Sequence, residues 1–184
     1  MKKLKFLIIS NCGIDKATVK GLDVLSSLNQ LKSVRLERLI SPLSGKQSIQ
    51  ALQNIEKLSL SLCEGFDYIP TFNSLQDLNL NSNNNLPASI GKLEQLEYLD
   101  ISLCEILKEL PKEIGQLKTL KELNMRECSN LTMLPSTVCE LHSLKLVTGD
   151  ETIGKQWLRA KNTSIPELNV QIVEAYFSLD WLDI

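Results

Sequence analysis

Apolar residues return along this chain in one template, Leu-x-x-Leu-x-Leu-x-x-Cys/Asn. Its copies are Leu4, Leu7, Ile9, Cys12; Leu31, Val34, Leu36, Leu39; Ile55, Leu58, Leu60, Cys63; and Leu75, Leu78, Leu80, Asn83. Leu96, Leu99, Ile101, Cys104 and Leu120, Leu123, Met125, Cys128 continue it, and Leu144, Val147, Gly149 is a fading copy. Successive copies start 27, 24, 20, 21, 24 and 24 residues apart. The alternation in Leu-x-Leu predicts a short strand with two side chains inward and the middle one outward. A second pattern fills the later connections: Leu86-Pro87-x-x-Ile90-Gly91-x-Leu93, Leu110-Pro111-x-x-Ile114-Gly115-x-Leu117 and Leu134-Pro135-x-x-Val138-Cys139-x-Leu141. Proline presets the backbone at a turn or first helical position, and the apolar residues that follow predict one short helical turn on the opposite face.

One such unit cannot fold alone. Burying four or five aliphatic side chains contributes roughly 1.5 to 3 kcal/mol each, while ordering about two dozen residues costs on the order of 1 to 2 kcal/mol per residue. Stacking the units at about 4.8 Å per strand supplies partners for backbone and side chains alike. The expected fold class is therefore α/β, a leucine-rich-repeat solenoid: a curved, parallel concave sheet with short convex helices or turns, about seven repeats plus a C-terminal cap. The expected division is residues 1–149 for the repeats and 150–184 for the capping, post-repeat segment.

The irregular stretches give further expectations. Asp15 is placed to cap a longer helix whose stripe is Val19, Leu22, Leu25 and Leu28. Ser41, Pro42, Ser44 and Gly45 mark a loop, and the polar run Asn81 to Asn85 a shortened turn. In the tail, alternating Leu168, Val170 and Ile172 predict one more strand closing the sheet.

Composition narrows the chemistry. Twenty basic against twenty-two acidic side chains leave a formal charge of −2 over 184 residues, which argues against a nucleic-acid or anionic-membrane surface. One histidine and no Cys-x-x-Cys pair cannot build the usual zinc site. Cys12, Cys63, Cys104 and Cys128 share one register, the inward turn after the strand, so they read as small core residues, and free thiols are expected in an intracellular protein. Cys139 stands where neighbouring copies have glycine and also reads as core. His142 reads as surface, because repeat geometry sets no catalytic partner for it. Gly45-Lys46 lacks the rest of a phosphate loop. The leucines after Met1-Lys2-Lys3 are too short a run for a signal peptide and are needed by the first repeat. The sequons at Asn130 and Asn162 matter only in a secreted protein. The chain is expected to be no enzyme.

The outward strand positions form three columns: Phe6, Ser33, Lys57, Asp77, Tyr98, Glu122; then Ile8, Arg35, Ser59, Asn79, Asp100, Asn124; then Ser10, Glu37, Ser61, Asn81, Ser102, Arg126. The mixture suits either a protein partner or a merely solvated face. Tyr98, Asp100 and Arg126 are the partner-binding candidates on it. In the tail, Trp157, Phe177 and Trp181 are further candidates; with Tyr176 they either cap the last repeat or project to a partner.

Cys-ended strands followed by Leu-Pro-x-x-Ile-Gly-x-Leu resemble the repeats of plant intracellular NLR disease-resistance receptors. Val147 to Asp150 leading to Trp157, then Ile165-Pro166-Glu167-Leu168 and the ending Phe177-Ser178-Leu179-Asp180-Trp181-Leu182-Asp183, resemble the C-terminus of the helper subclass. Full-length members carry a membrane-disrupting four-helix N-terminal domain and a nucleotide-binding switch domain. Neither is present here, so no cofactor is expected, and ATP or ADP belongs only to that other domain. The resemblance implies plant defence signalling from the cytoplasm or nucleus, with no membrane contact by this segment. It implies that repeats and tail contribute to autoinhibition and dock a small-molecule-loaded heterodimer of lipase-like immune proteins. The chain reads as a piece of a longer receptor or, alternatively, as a naturally truncated decoy that sequesters the heterodimer. Rival readings are an intracellular scaffold binding small GTPases and a bacterial effector with a ubiquitin-ligase domain. Asparagine should dominate the ladder of both, and the 35 residues from Asp150 to Ile184 are too few for a ligase domain.

Overall fold

A computed structural model describes residues 4–12, 17–18, 28–40, 52–65 and 67–173. Each copy of the template forms a strand: β1 (Phe6–Ser10), β3 (Ser33–Glu37), β5 (Lys57–Ser61), β6 (Asp77–Asn79), β7 (Tyr98–Asp100), β8 (Glu122–Met125) and β9 (Leu146–Gly149). With β10 (Asn169–Ile172) they make an eight-stranded sheet in the order β1-β3-β5-β6-β7-β8-β9-β10. Every pairing is parallel, and equivalent template positions face one another, as Leu58 faces Leu78 and Leu78 faces Leu99. Parallel strands need crossovers, and these place Ile90, Ile114 and Val138 behind the sheet, buried against the inward leucines.

The crossovers after β6, β7 and β8 are 3-10 turns, Ala88–Lys92, Lys112–Gln116 and Ser136–Glu140. Each starts directly after its proline, whose φ of −63 to −73° is the value the ring imposes. The glycines in them are required by stacking. A Cβ on Gly115 would lie 2.4 Å from the Thr137 carbonyl oxygen, and one on Gly91 would lie 2.6 Å from that of Glu113. Cys139 is tolerated at the same position because the crossover beyond it is a different element, the α-helix α1 (Glu151–Thr163).

Behind β3, β5, β6, β7 and β8 the chain turns through a left-handed residue: Arg38, Leu62, Ser82, Leu103 and Glu127 have φ of 55 to 59°. The next residue then points inward. Where it is cysteine, its side chain donates to a carbonyl of the preceding copy: Cys63 Sγ to Leu36 O at 3.5 Å, Cys104 Sγ to Leu80 O at 3.4 Å and Cys128 Sγ to Ile101 O at 3.0 Å. Asn83 does more, donating to Leu60 O and Leu80 O while its Oδ1 accepts from Cys63 N at 2.8 Å. None of the five cysteines is in a disulfide. Burial pushes the Cys104 thiol up to about 11 and the Cys128 thiol up to about 12, so neither is a nucleophile near neutral pH.

Several expectations need correction. Cys12 shares the register of the buried cysteines but is exposed, because among the described residues β1 has a hydrogen-bonded neighbour on one side only, β3. Ala17–Thr18, in the stretch expected to be helical, form a two-residue strand, β2, pairing in parallel with β4 (Leu39–Ile40). Asp15, Val19, Leu22, Leu25 and the loop residues Ser41, Pro42, Ser44 and Gly45 lie outside the described residues, as do Tyr176, Phe177 and Trp181. The seventh copy does not fade: β9 pairs β8 over four residues and β10 continues the ladder. Gly154 lets α1 lie against β10, since a Cβ there would meet Ile172 Cγ1 at 2.5 Å.

Candidate functional site on the concave sheet

The strand registers bring the outward residues into the expected columns and extend them. Lys57, Asp77, Tyr98 and Glu122 continue into Leu146 and Asn169; Ser59, Asn79, Asp100 and Asn124 continue into Thr148 and Gln171. In the second column the side chains fold back on their own turns. Asn79, Asp100 and Asn124 accept from the backbone N–H two residues on, Asn81, Ser102 and Arg126, at 3.1, 2.8 and 3.3 Å. This repeated contact sets how each strand leaves the sheet.

Most charges on this face are already matched. Arg35 Nε lies 2.8 Å from Glu37 Oε1, and Lys57 Nζ lies 3.0 Å from Asp77 Oδ2. Asp100 is buried, and its Oδ2 accepts from Asn79 Nδ2 at 3.3 Å and from the Tyr98 hydroxyl at 3.4 Å. Burial, with the Asp100 and Asp77 carboxylates beside it, pushes the Tyr98 phenol up to about 12. Tyr98 is thus a neutral donor tied to its neighbour. Asp100, with three donors on its carboxylate, serves the scaffold and has little left for a partner, contrary to its place among the binding candidates.

Past Asp100 the pattern changes. A groove of about 230 Å³ opens over β8, β9 and β10, lined by Tyr98, Glu122, Leu123, Asn124, Arg126, Leu146, Thr148, Gln171 and Val173. Glu122 and Arg126 are exposed in it, and neither side chain has an ion-pair or hydrogen-bond partner among the described residues. The structure thus unites two of the six candidates, Tyr98 and Arg126. Trp157 is excluded from any docking role: it is 0 % exposed, packed in the core from α1. Its Nε1 meets no acceptor. Phe177 and Trp181 lie outside the described residues.

Leu146, Thr148 and Gln171 are among the lining residues that sequence reasoning missed. Their signal was present: reading Leu144, Val147, Gly149 and Leu168, Val170, Ile172 as full copies makes the residues between them outward. Among the described residues no cluster of histidine, cysteine and carboxylate side chains suits a metal ion. No described helix is long and apolar enough to cross a membrane.

A family model described as a leucine-rich repeat region matches residues 65–176. The chain is 33% identical over 117 residues to the probable disease resistance protein At5g66890 of Arabidopsis thaliana, covering 58% of this chain and 28% of that protein. It is 34% identical over 110 residues to the probable disease resistance protein At5g66900 of the same plant, covering 60% of this chain and 12% of that one. The chain therefore spans about a quarter or less of these relatives. The leucine-rich repeat domain of the type III effector XCV3220 (XopL) aligns with a TM-score of 0.64 at 19% identity, over 93% of this chain and 69% of that one. At that identity the likeness concerns the fold alone.

Proposed function

This chain belongs to the leucine-rich repeat family, and we propose that it docks a small-molecule-loaded heterodimer of lipase-like immune proteins through the C-terminal part of its concave sheet. Domains of this family are non-enzymatic protein-interaction scaffolds, and its sequence relatives are disease-resistance proteins. The observation that carries the reading is the groove over β8 to β10, where Glu122 and Arg126 stand exposed and unpaired on a face whose other charges are matched. The resemblance of the tail to the helper subclass supports the choice of partner, with Phe177 and Trp181 as further candidate contacts. In a full-length receptor of the cytoplasm or nucleus the same face would contribute to autoinhibition, because a surface held against the rest of the receptor is closed to the heterodimer.

The test is a pull-down of purified heterodimer, with and without its nucleotide ligand, on this chain. Arg126→Glu should lower capture at least several-fold, whereas Lys112→Glu, exposed on a convex turn, should leave it unchanged. Trp181→Ala should lower capture without lowering the melting temperature. Equal capture by all three variants, or none by the unaltered chain with liganded heterodimer, would overturn the reading.

A further inference from the structure

Glu122, Asn124 and Arg126 project from one face at every second residue of a single chain segment. At about 3.3 Å per residue the two backbone positions stand roughly 13 Å apart, and among the described residues the two side chains form no ion pair with each other. They do not neutralise each other. Beside them Thr148 and Gln171, in register with Asn124, have no side-chain hydrogen bond among the described residues, and Leu146 and Val173 give the groove an apolar wall. A cleft of about 230 Å³ takes a few side chains, not a folded body.

We infer that this groove is bipolar and takes an extended segment of a protein partner that carries a basic and an acidic side chain four residues apart. The basic group lies over Glu122 and the acidic one over Arg126, with the backbone between them bonding to Thr148 and Gln171. The inference rests on the docking reading above and specifies the chemistry that the docked surface must present. Charge complementarity selects this occupant: a free anion leaves Glu122 unmatched, and an apolar helix leaves both charges without partners.

The probes are two end-blocked heptapeptides on a serine–threonine background, one with lysine four residues before aspartate and one in the reverse order. A third has glutamine and asparagine at those places. Titration into the labelled chain by NMR should show one charged order preferred over the other by about three- to tenfold, as two exposed ion pairs allow. Amide shifts should centre on residues 122–126 and 146–148. In the double variant Glu122→Arg with Arg126→Glu, the preferred order should reverse, while the melting temperature stays that of the parent because both residues are exposed. An unchanged preference in the swapped variant, equal binding of the neutral peptide, or no shift in the groove would overturn the inference. If those results came with Arg126→Glu still weakening heterodimer capture, the docking reading would stand and only the bipolar match would fall.

Discussion

At the scale of single residues, the position after each left-handed turn residue determines how well the ladder is hydrogen-bonded. Asn83 serves three backbone groups, whereas each buried cysteine thiol serves one or two. Asn83→Ala strands three buried groups at about 1 kcal/mol or more each, so chemical denaturation should show a loss of about 3 kcal/mol, against about 1 for Cys104→Ala. The left-handed residue makes its own prediction. Glu127 has φ 58°, so Glu127→Gly should hold or raise the melting temperature, and Glu127→Val should lower stability by about 1 to 2 kcal/mol. The thiols and Tyr98 also fix an alkaline limit. Their folded values, about 11 for Cys104 and about 12 for Cys128 and Tyr98, lie above the ordinary 9.0 and 10.0. Protons are then held more tightly in the folded state, so this stability is complete below about pH 9 and disappears as pH rises through 11 to 12. Melting temperatures across pH 8 to 12 should fall in that window, and iodoacetamide at pH 8 should modify exposed Cys12 long before Cys63, Cys104 or Cys128.

At the scale of elements, the helix α1 does the work of the missing 3-10 turn. Ile153, Trp157 and Ala160 are its buried stripe, and Gln156 ties the neighbouring loop by donating to Thr132 O and accepting from Leu134 N at 2.9 Å. Trp157→Ala should cost about 3 to 5 kcal/mol. Trp157→Phe should cost far less, because it also removes a buried N–H that has no acceptor; thermal unfolding of both variants decides this. The strands were legible in the sequence because a two-residue alternation repeated at nearly constant spacing leaves no other register. The helix was equally written, in Asp150 followed by apolar residues at Ile153, Trp157 and Ala160, but a template search passes over a segment that drops the template. Trp157 illustrates the limit further: aromatic content marks a residue as large, and only the surrounding elements decide whether it faces inward. The groove was half legible, since columns follow from register, whereas the pairing that satisfies Asp100 and leaves Arg126 free depends on side-chain distances.

At the scale of the whole molecule, stability is a nearest-neighbour property, so damage should spread only through adjoining copies. Gly115→Ala, which sets a Cβ against the Thr137 carbonyl, should protect amides around β8 and β9 less in hydrogen exchange while leaving those of β3 and β5 as they were. Equal loss of protection along the sheet would show a single cooperative unit instead. Asp150 closes this chain of neighbours: its Oδ1 accepts from Glu127 N at 3.0 Å, where the backbone carbonyls of Ser61, Asn81, Ser102 and Arg126 serve Arg38, Leu62, Ser82 and Leu103. Lengthening the protein by grafting in a duplicate of residues 120–143 ahead of Leu144 would therefore hand that carbonyl role back to the main chain. The graft would also set a new proline turn on Cys139, whose side chain occupies the space such a turn needs. A version with Cys139→Gly should gain thermal stability from the added copy, and one that keeps the cysteine should not.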